Sequence, residues 1–174
     1  TQSLDDRISA LNKRGEVSAD TRRAIRLLRG AGFKIAVHWM PNLLGATPHS
    51  DLEDFRQWWN DPCLRPDEMK IYPTGLIRGT ELYEYYVRGE YHPYTEPELA
   101  DLLVACKALV PETCRLNRVM RDIPAPEIAA GVITSNLRQV VQKRLIEAGT
   151  PCRCIRCREV RRESVGFDQL DFQT

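Results

Sequence analysis

Residues 150–158 read Thr-Pro-Cys-Arg-Cys-Ile-Arg-Cys-Arg, so three thiols, Cys152, Cys154 and Cys157, fall within six positions. A chain this short can bring all three sulfurs to one point. Thiolates around one point are the donor set of a tetrahedral zinc site, with Zn–S distances of about 2.3 Å. Only three ligands are local, so a fourth must come from elsewhere or from water. Arg153, Arg156, Arg158, Arg161 and Arg162 crowd the same stretch. Their charge is expected to lower the thiol pKa and favour the metal-binding thiolate. Two other states stay open. One is three reduced thiols in a basic surface loop. The other is a disulfide, which cysteines this close in sequence disfavour.

Other candidates sit where short apolar runs end. His38 could be a base, a ligand, or a satisfied interior histidine. Lys70 and Tyr72 share one face of a short strand and could hold a phosphate or a carboxylate. They could equally line a barrel, bonded to a neighbouring carboxylate. Arg115, Arg118 and Arg121 form a basic edge, suited to phosphate because a guanidinium donates two hydrogen bonds at once, or simply solvated. Tyr83, Tyr85, Tyr86, Tyr91 and Tyr94 cluster with His92. Such faces can stack unpaired bases, although packing of a short helix accounts for them more simply.

The elements that must position these groups alternate. Ser18 is a helix N-cap, followed by a stripe of Ala24, Leu27, Leu28 and Ala31 and a stop at Gly32. Residues 33–40 form a strand with Phe33, Ile35, Val37 and Trp39 on one face. Ser50 to Glu53 is a capping box that opens a helix with Leu52, Phe55, Trp58 and Trp59 inward. Residues 69–72 form the next strand, and residues 74–80 a loop. A short helix covers 82–87. Thr95 to Glu98 is a second capping box, starting a helix with Leu99, Leu102, Leu103, Cys106 and Leu109 on one stripe. Residues 115–121 are a third strand and residues 135–148 a last helix. Strands alternating with helices predict an α/β fold with a parallel sheet and crossover helices. The count matches half of a partial (β/α) barrel or a small open sheet. Function then belongs at the C-terminal strand ends. A half-barrel leaves edge strands unpaired, which predicts poor solubility.

At 174 residues the chain is long enough for one real core. A formal net charge of +1 does not by itself announce a nucleic-acid binder. The sign is uneven: residues 115–162 are basic and 51–112 lean acidic. No run of 18 apolar residues exists, so no membrane span is expected. Six cysteines without a visible signal peptide suit a reducing cytoplasm. Cys106 falls in an apolar helix pattern and reads as core. The opening Thr-Gln-Ser-Leu-Asp-Asp reads like a strand end running into a loop, as though a larger protein continued before it. The chain has no phosphate-binding Walker loop, no dinucleotide fingerprint and no serine nucleophile elbow.

Several segments together resemble a known family. They are Gly32 to Pro41, Lys70-Ile-Tyr-Pro-Thr74, Ile77-Arg-Gly-Thr80 with Leu82 and Tyr83, Arg121-Asp-Ile-Pro124, Asn136-Leu-Arg138, and Cys152 to Val160. In this order they resemble the second half of the radical S-adenosylmethionine domain of the Elongator catalytic subunit, closest to the single-chain bacterial and archaeal type. The resemblance implies a tRNA-modifying acetyltransferase acting at C5 of the wobble uridine, U34. It implies a 4Fe-4S cluster, S-adenosylmethionine and acetyl-CoA in the intact protein, and zinc in this segment. The cluster cysteines would precede Thr1 and the acetyl-CoA loop would follow Thr174. Residues 1–149 would be radical-domain scaffold. Residues 150–174 would be a zinc-binding linker to an acetyltransferase domain, with Cys152, Cys154 and Cys157 as its metal ligands.

Expected partners are tRNA, the protein's own N-terminal radical and acetyltransferase domains, and no membrane; a homodimer is compatible. Lys70, Tyr72, Arg118 and Arg121 are placed at the substrate or tRNA by strand-end geometry. The competing readings are a zinc-stabilised RNA- or protein-binding module without catalysis, and a metabolic barrel enzyme carrying a zinc linker.

Overall fold

The structure is a computed structural model, and it describes residues 1–120, 127–131, 136–161 and 164–171. Arg121 and Arg162 lie outside the described residues. Three parallel strands form the main sheet: β1 (Ala36–Trp39), β2 (Glu68–Ile71) and β4 (Arg115–Arg118), in the order β1-β2-β4. Helix α3 (Pro48–Asn60) crosses from β1 to β2, and α5 (Glu96–Leu109) precedes β4. These crossovers, with α6 (Leu137–Glu147), cover one sheet face. The expected parallel α/β architecture of half a partial barrel is thus what the chain adopts.

Strand alternation decides which side is covered. Val37, Trp39, Met69, Ile71 and Leu116 point into the core, where Phe55, Trp58, Leu103, Val141 and Leu145 meet them. Ala36 and His38 of β1 point the other way and are exposed. Both expected helix starts are capping boxes, but the first lies three residues earlier than expected. Thr47, not Ser50, is the N-cap, accepting from Ser50 N, with Pro48 in the first turn. Thr95 caps α5 as expected, accepting from Glu98 N.

Four other expectations are corrected. Helix α2 (Ser18–Gly30) buries Thr21 and Ile25 rather than the Leu27 stripe; Leu27 and Leu28 are exposed. A narrow contact along one turn is enough to seat this helix against the start of the sheet, so its leucines stay outside. Phe33 is exposed because it precedes the strand, which begins at Ala36. The strand-like opening gives way to a short helix, α1 (Asp6–Leu11), because the Asp5 carboxylate accepts from Arg7 N and Ile8 N. Residues 74–80 are not all loop: β3 (Leu76–Ile77) pairs antiparallel with β5 (Ile128–Ala130).

The β4 edge of the sheet is also better protected than half a barrel requires. On the outer side of β4, Ile155 N donates to the Cys114 carbonyl at 3.0 Å. Arg138 donates to the Leu116 carbonyl at 3.1 Å. Arg156 donates to the Asn117 carbonyl at 2.6 Å. Beyond the end of β1, Met40 N donates to the Gln2 carbonyl at 2.9 Å. At β4 the expectation of a bare edge is therefore corrected: acceptors that would template another strand are occupied.

Candidate functional site

The cysteine segment reaches β4 because three contacts hold it there. Arg158 donates to the Glu112 carbonyl at 2.7 Å. Arg153 pairs with the Glu112 carboxylate, and Arg115 with Glu159. Between these, a single 3-10 turn over Ile155–Cys157 brings Cys157 back toward Cys154. The three sulfurs of Cys152, Cys154 and Cys157 all lie within 4.8 Å of one another. Cys152 and Cys154 are buried and join the main core.

Three sulfurs this close cannot all ionise without a cation, since each thiolate repels the next. The thiols respond accordingly. Cys154 ionises well below the ordinary thiol range, because the Cys152 and Cys157 thiols donate to its sulfur and Leu116 N also donates there. Cys152 is pushed far up by the same sharing and by burial. A divalent cation replacing the shared protons would let all three ionise. The donor set therefore fits a thiophilic metal such as zinc.

The charge around the sulfurs comes from unexpected places. No arginine of the segment itself bonds to a thiol among the described residues: Arg153 and Arg158 serve Glu112, and Arg156 serves β4. Lys107 and Arg138 do the work instead. Lys107 Nζ lies 3.7 Å from Cys157 Sγ and 3.1 Å from Gln142 Oε1. Arg138 Nη2 lies 3.9 Å from the same sulfur. Lys107 is fully buried and pairs with no carboxylate among the described residues. Sequence reading missed it because a lysine late in a helix reads as an exposed C-terminal charge.

The sequence left the fourth ligand open. Among the described residues, no other His, Cys, Asp or Glu joins the group. Cys114 is buried beside Cys154 but stays outside it, its thiol pushed up to about 12 by burial and by the neighbouring sulfur. Cys106 is buried core, as expected.

The second candidate cluster lies on the open sheet face. Register places His38 opposite Lys70, and Lys70 opposite Arg118, one row across all three strands near their C-terminal ends. A bulge after Met69 lets Arg118 rather than Asn117 complete the row. Tyr72 follows, its N–H bonded to the Trp39 carbonyl at 2.8 Å. Its ring meets His38 edge-on at 5.3 Å. Partial burial and the Lys70 charge lower the His38 pKa. The structure thus brings Lys70, Tyr72 and Arg118 together and adds His38.

The tyrosine cluster divides. Tyr91 and Tyr94 are buried, donating to the Asn42 carbonyl at 2.9 Å and to Asp51 at 2.8 Å. Tyr86 is exposed at the surface of α4 (Glu81–Val87). No described helix is long and apolar enough to cross a membrane.

Comparison with known proteins agrees with this fold. Residues 66–147 match the family model of the radical SAM C-terminal domain. The chain is 43% identical, over 91% of its length and 30% of the relative's, to a tRNA uridine(34) acetyltransferase of Methanocaldococcus infernus. It is 44% identical to that of Dehalococcoides mccartyi over 91% of this chain and 34% of the relative. It is 38% identical to Homo sapiens Elongator complex protein 3 over 91% of this chain and 29% of the relative. The solved archaeal Methanocaldococcus infernus Elp3, with an N-terminal deletion, superposes with a TM-score of 0.87 at 43% identity. That match covers 91% of this chain and 37% of the solved one. The chain thus spans about a third of the length of the curated relatives it matches. Over nine tenths of its length the chain is similar to the Elongator catalytic subunit and the single-chain tRNA uridine(34) acetyltransferases, and residues 66–147 match the radical SAM C-terminal domain.

Proposed function

We propose that this chain is the scaffold and RNA-facing half of a radical S-adenosylmethionine domain in an enzyme that acetylates and thereby modifies C5 of U34 in tRNA. The observation carrying the reading is the 43% identity to an archaeal tRNA uridine(34) acetyltransferase over 91% of this chain. In the intact protein a 4Fe-4S cluster and S-adenosylmethionine would supply radical chemistry, and acetyl-CoA the acyl group; none of their ligands is assigned in this chain. Residues 1–149 serve as the barrel half and 150–174 as a linker toward an acetyltransferase domain. The protein works in the cytoplasm, on tRNA.

Zinc bound by Cys152, Cys154 and Cys157 would supply a structural cross-link and no reaction step. The chain's own residues then do two things. The cysteine turn covers the outer edge of β4, which keeps the sheet from pairing with other chains. The row of His38, Lys70 and Arg118, with Tyr72 beside it, presents cations and hydrogen-bond donors where parallel α/β sheets bind their substrates. Arg121, outside the described residues, is assigned the same role from its place in the sequence. Arginine and lysine there orient phosphate, and Tyr72 offers a face for an unpaired base.

The test uses the intact enzyme. Lys70→Gln, Arg118→Gln and Arg121→Gln are each expected to lower tRNA affinity or turnover by about tenfold, as loss of a charge-assisted contact would, and Tyr72→Ala, which removes the ring, by a similar factor. Unchanged affinity and turnover in all four would refute the assignment. Loss of tRNA binding as salt rises, with a steep logarithmic slope, separates this reading from a metabolic barrel enzyme.

A further inference from the structure

Beside the cysteine turn lies a second feature that the tRNA-facing sheet row does not use. A cavity of about 640 Å³ opens between α6 and the turn, walled in part by Arg138, Lys143, Arg156, Arg161 and Glu147. That volume falls within the roughly 300–1,000 Å³ of small-molecule sites. Four cations and one carboxylate face it. The carboxylate, Glu147, is already engaged, 3.7 Å from Lys143.

The arginines are held in place without being neutralised. Arg138 and Arg156 are anchored on consecutive carbonyls of β4, Leu116 and Asn117. These bonds anchor two guanidinium groups in the cavity wall while cancelling none of their charge. Neither they nor Arg161 pairs with a carboxylate among the described residues. Nearby arginines differ: Arg115, Arg144 and Arg153 each take one. Like charges held together on rigid anchors repel, and a bound anion relieves the repulsion. Each guanidinium has five N–H donors in a planar fork. Arg156 spends one on β4, leaving a set shaped for an oxyanion. Cys157 forms part of the wall. Its sulfur lies 3.7 Å from buried Lys107, which does not line the cavity, and 3.9 Å from Arg138 Nη2.

We propose that this cavity binds a phosphate group, with Arg138, Arg156 and Arg161 as its donors. The phosphate is either a backbone phosphodiester of RNA or a free phosphate ester. The RNA form rests on the tRNA reading above; the phosphate site itself does not.

The experiment compares the metal-loaded intact protein with three variants: Arg161→Gln, Arg156→Gln with Arg161→Gln, and Arg26→Gln on the exposed side of α2 as control. A labelled single-stranded oligoribonucleotide is titrated at several salt concentrations, and pyrophosphate is followed separately by phosphorus NMR. Melting temperature and metal content confirm folding; Arg161→Gln removes no bond seen among the described residues and guards against loss of the turn. For an RNA phosphate, the double variant weakens RNA binding about tenfold or more, and the slope of log Kd against log salt falls by about 0.7 per lost contact. For a free phosphate ester, pyrophosphate line broadening disappears in the variants while RNA affinity holds. Wild-type binding of neither probe overturns the site. RNA binding that survives intact in the double variant, with unchanged pyrophosphate broadening, also overturns it while leaving the tRNA reading standing.

Discussion

The ammonium group of Lys107, fully buried, sits 3.7 Å from the sulfur of Cys157. A buried lysine is stable only beside a compensating negative charge, and the nearest candidate is the thiolate cluster. A zinc ion with three thiolates carries a net charge of −1, so the lysine and the loaded site neutralise each other. Each predicts the other.

Replacing Lys107 with Met keeps the stem and removes the charge. The expected result is a loss of metal affinity of about 10- to 100-fold, the usual effect of removing a partner that bonds to a ligand. Competition against a chromogenic chelator measures it. Affinity equal to wild type would show that the lysine is compensated by something else.

Asp51 makes stability depend on pH. Burial raises its pKa to about 7, despite hydrogen bonds from Asn42 N at 2.7 Å and Tyr94 OH at 2.8 Å that favour the ionised form. In the unfolded chain an aspartate titrates near 3.9. Between these values the folded state holds more protons, so stability falls as pH rises from about 4 to about 7 and levels off above. Asp54, also raised by burial, acts in the same sense. Asp51→Asn can still accept both hydrogen bonds and should flatten most of that slope. Thermal unfolding of both proteins at matched pH, between 5 and 8, reads the difference. Parallel curves would contradict the assignment.

Trp39 joins the sheet to α3 through one bond, Nε1 to the Asp54 carboxylate at 2.7 Å, with no exposed surface on the indole. Trp39→Phe removes that donor and part of a ring packed at 4.7 Å from Phe55. Loss of a hydrogen bond to a charged group costs about 1.5–3 kcal/mol, and the cavity adds to it. Denaturant unfolding should report a loss of about 2–4 kcal/mol on the same grounds. A loss below 1 kcal/mol would mean that Asp54 is satisfied without the indole.

Gly45 has a positive φ of 82°, and a Cβ there would stand 2.7 Å from Leu11 Cδ1. Gly45→Ala therefore meets both a strained backbone and a contact that the Leu11 side chain must yield to. A destabilisation of about 1–3 kcal/mol is expected. Gly79→Ala, with a similar φ of 76° but nothing within 4 Å, isolates the backbone part. Equal effects at both positions would show that the Leu11 contact costs nothing.

What could be read from the sequence follows a physical division. The sulfurs were legible because metal ligation needs a local spacing. The parallel sheet was legible because alternating strands and helices allow few topologies. Thr95 was legible because a capping box is complete within four residues. Thr47 was not, because Ser50 and Glu53 offered a competing box three residues on. The α2 face was misread because its stripe of leucines fits helical periodicity, while tertiary packing used Thr21 and Ile25 instead. Lys107 and Arg138 stayed hidden because their roles depend on contacts with Cys157 across 50 and 19 residues of chain. The β3–β5 pair also needs distant segments, joining Leu76 to Ala130.

X-ray absorption at the zinc edge, on protein purified without added chelator, probes the centre of the account. It predicts one zinc per chain with three sulfur neighbours at about 2.3 Å, and both the zinc and the melting temperature lost together in Cys154→Ser. Protein that folds with no metal, or zinc with fewer than three sulfur neighbours, would contradict it.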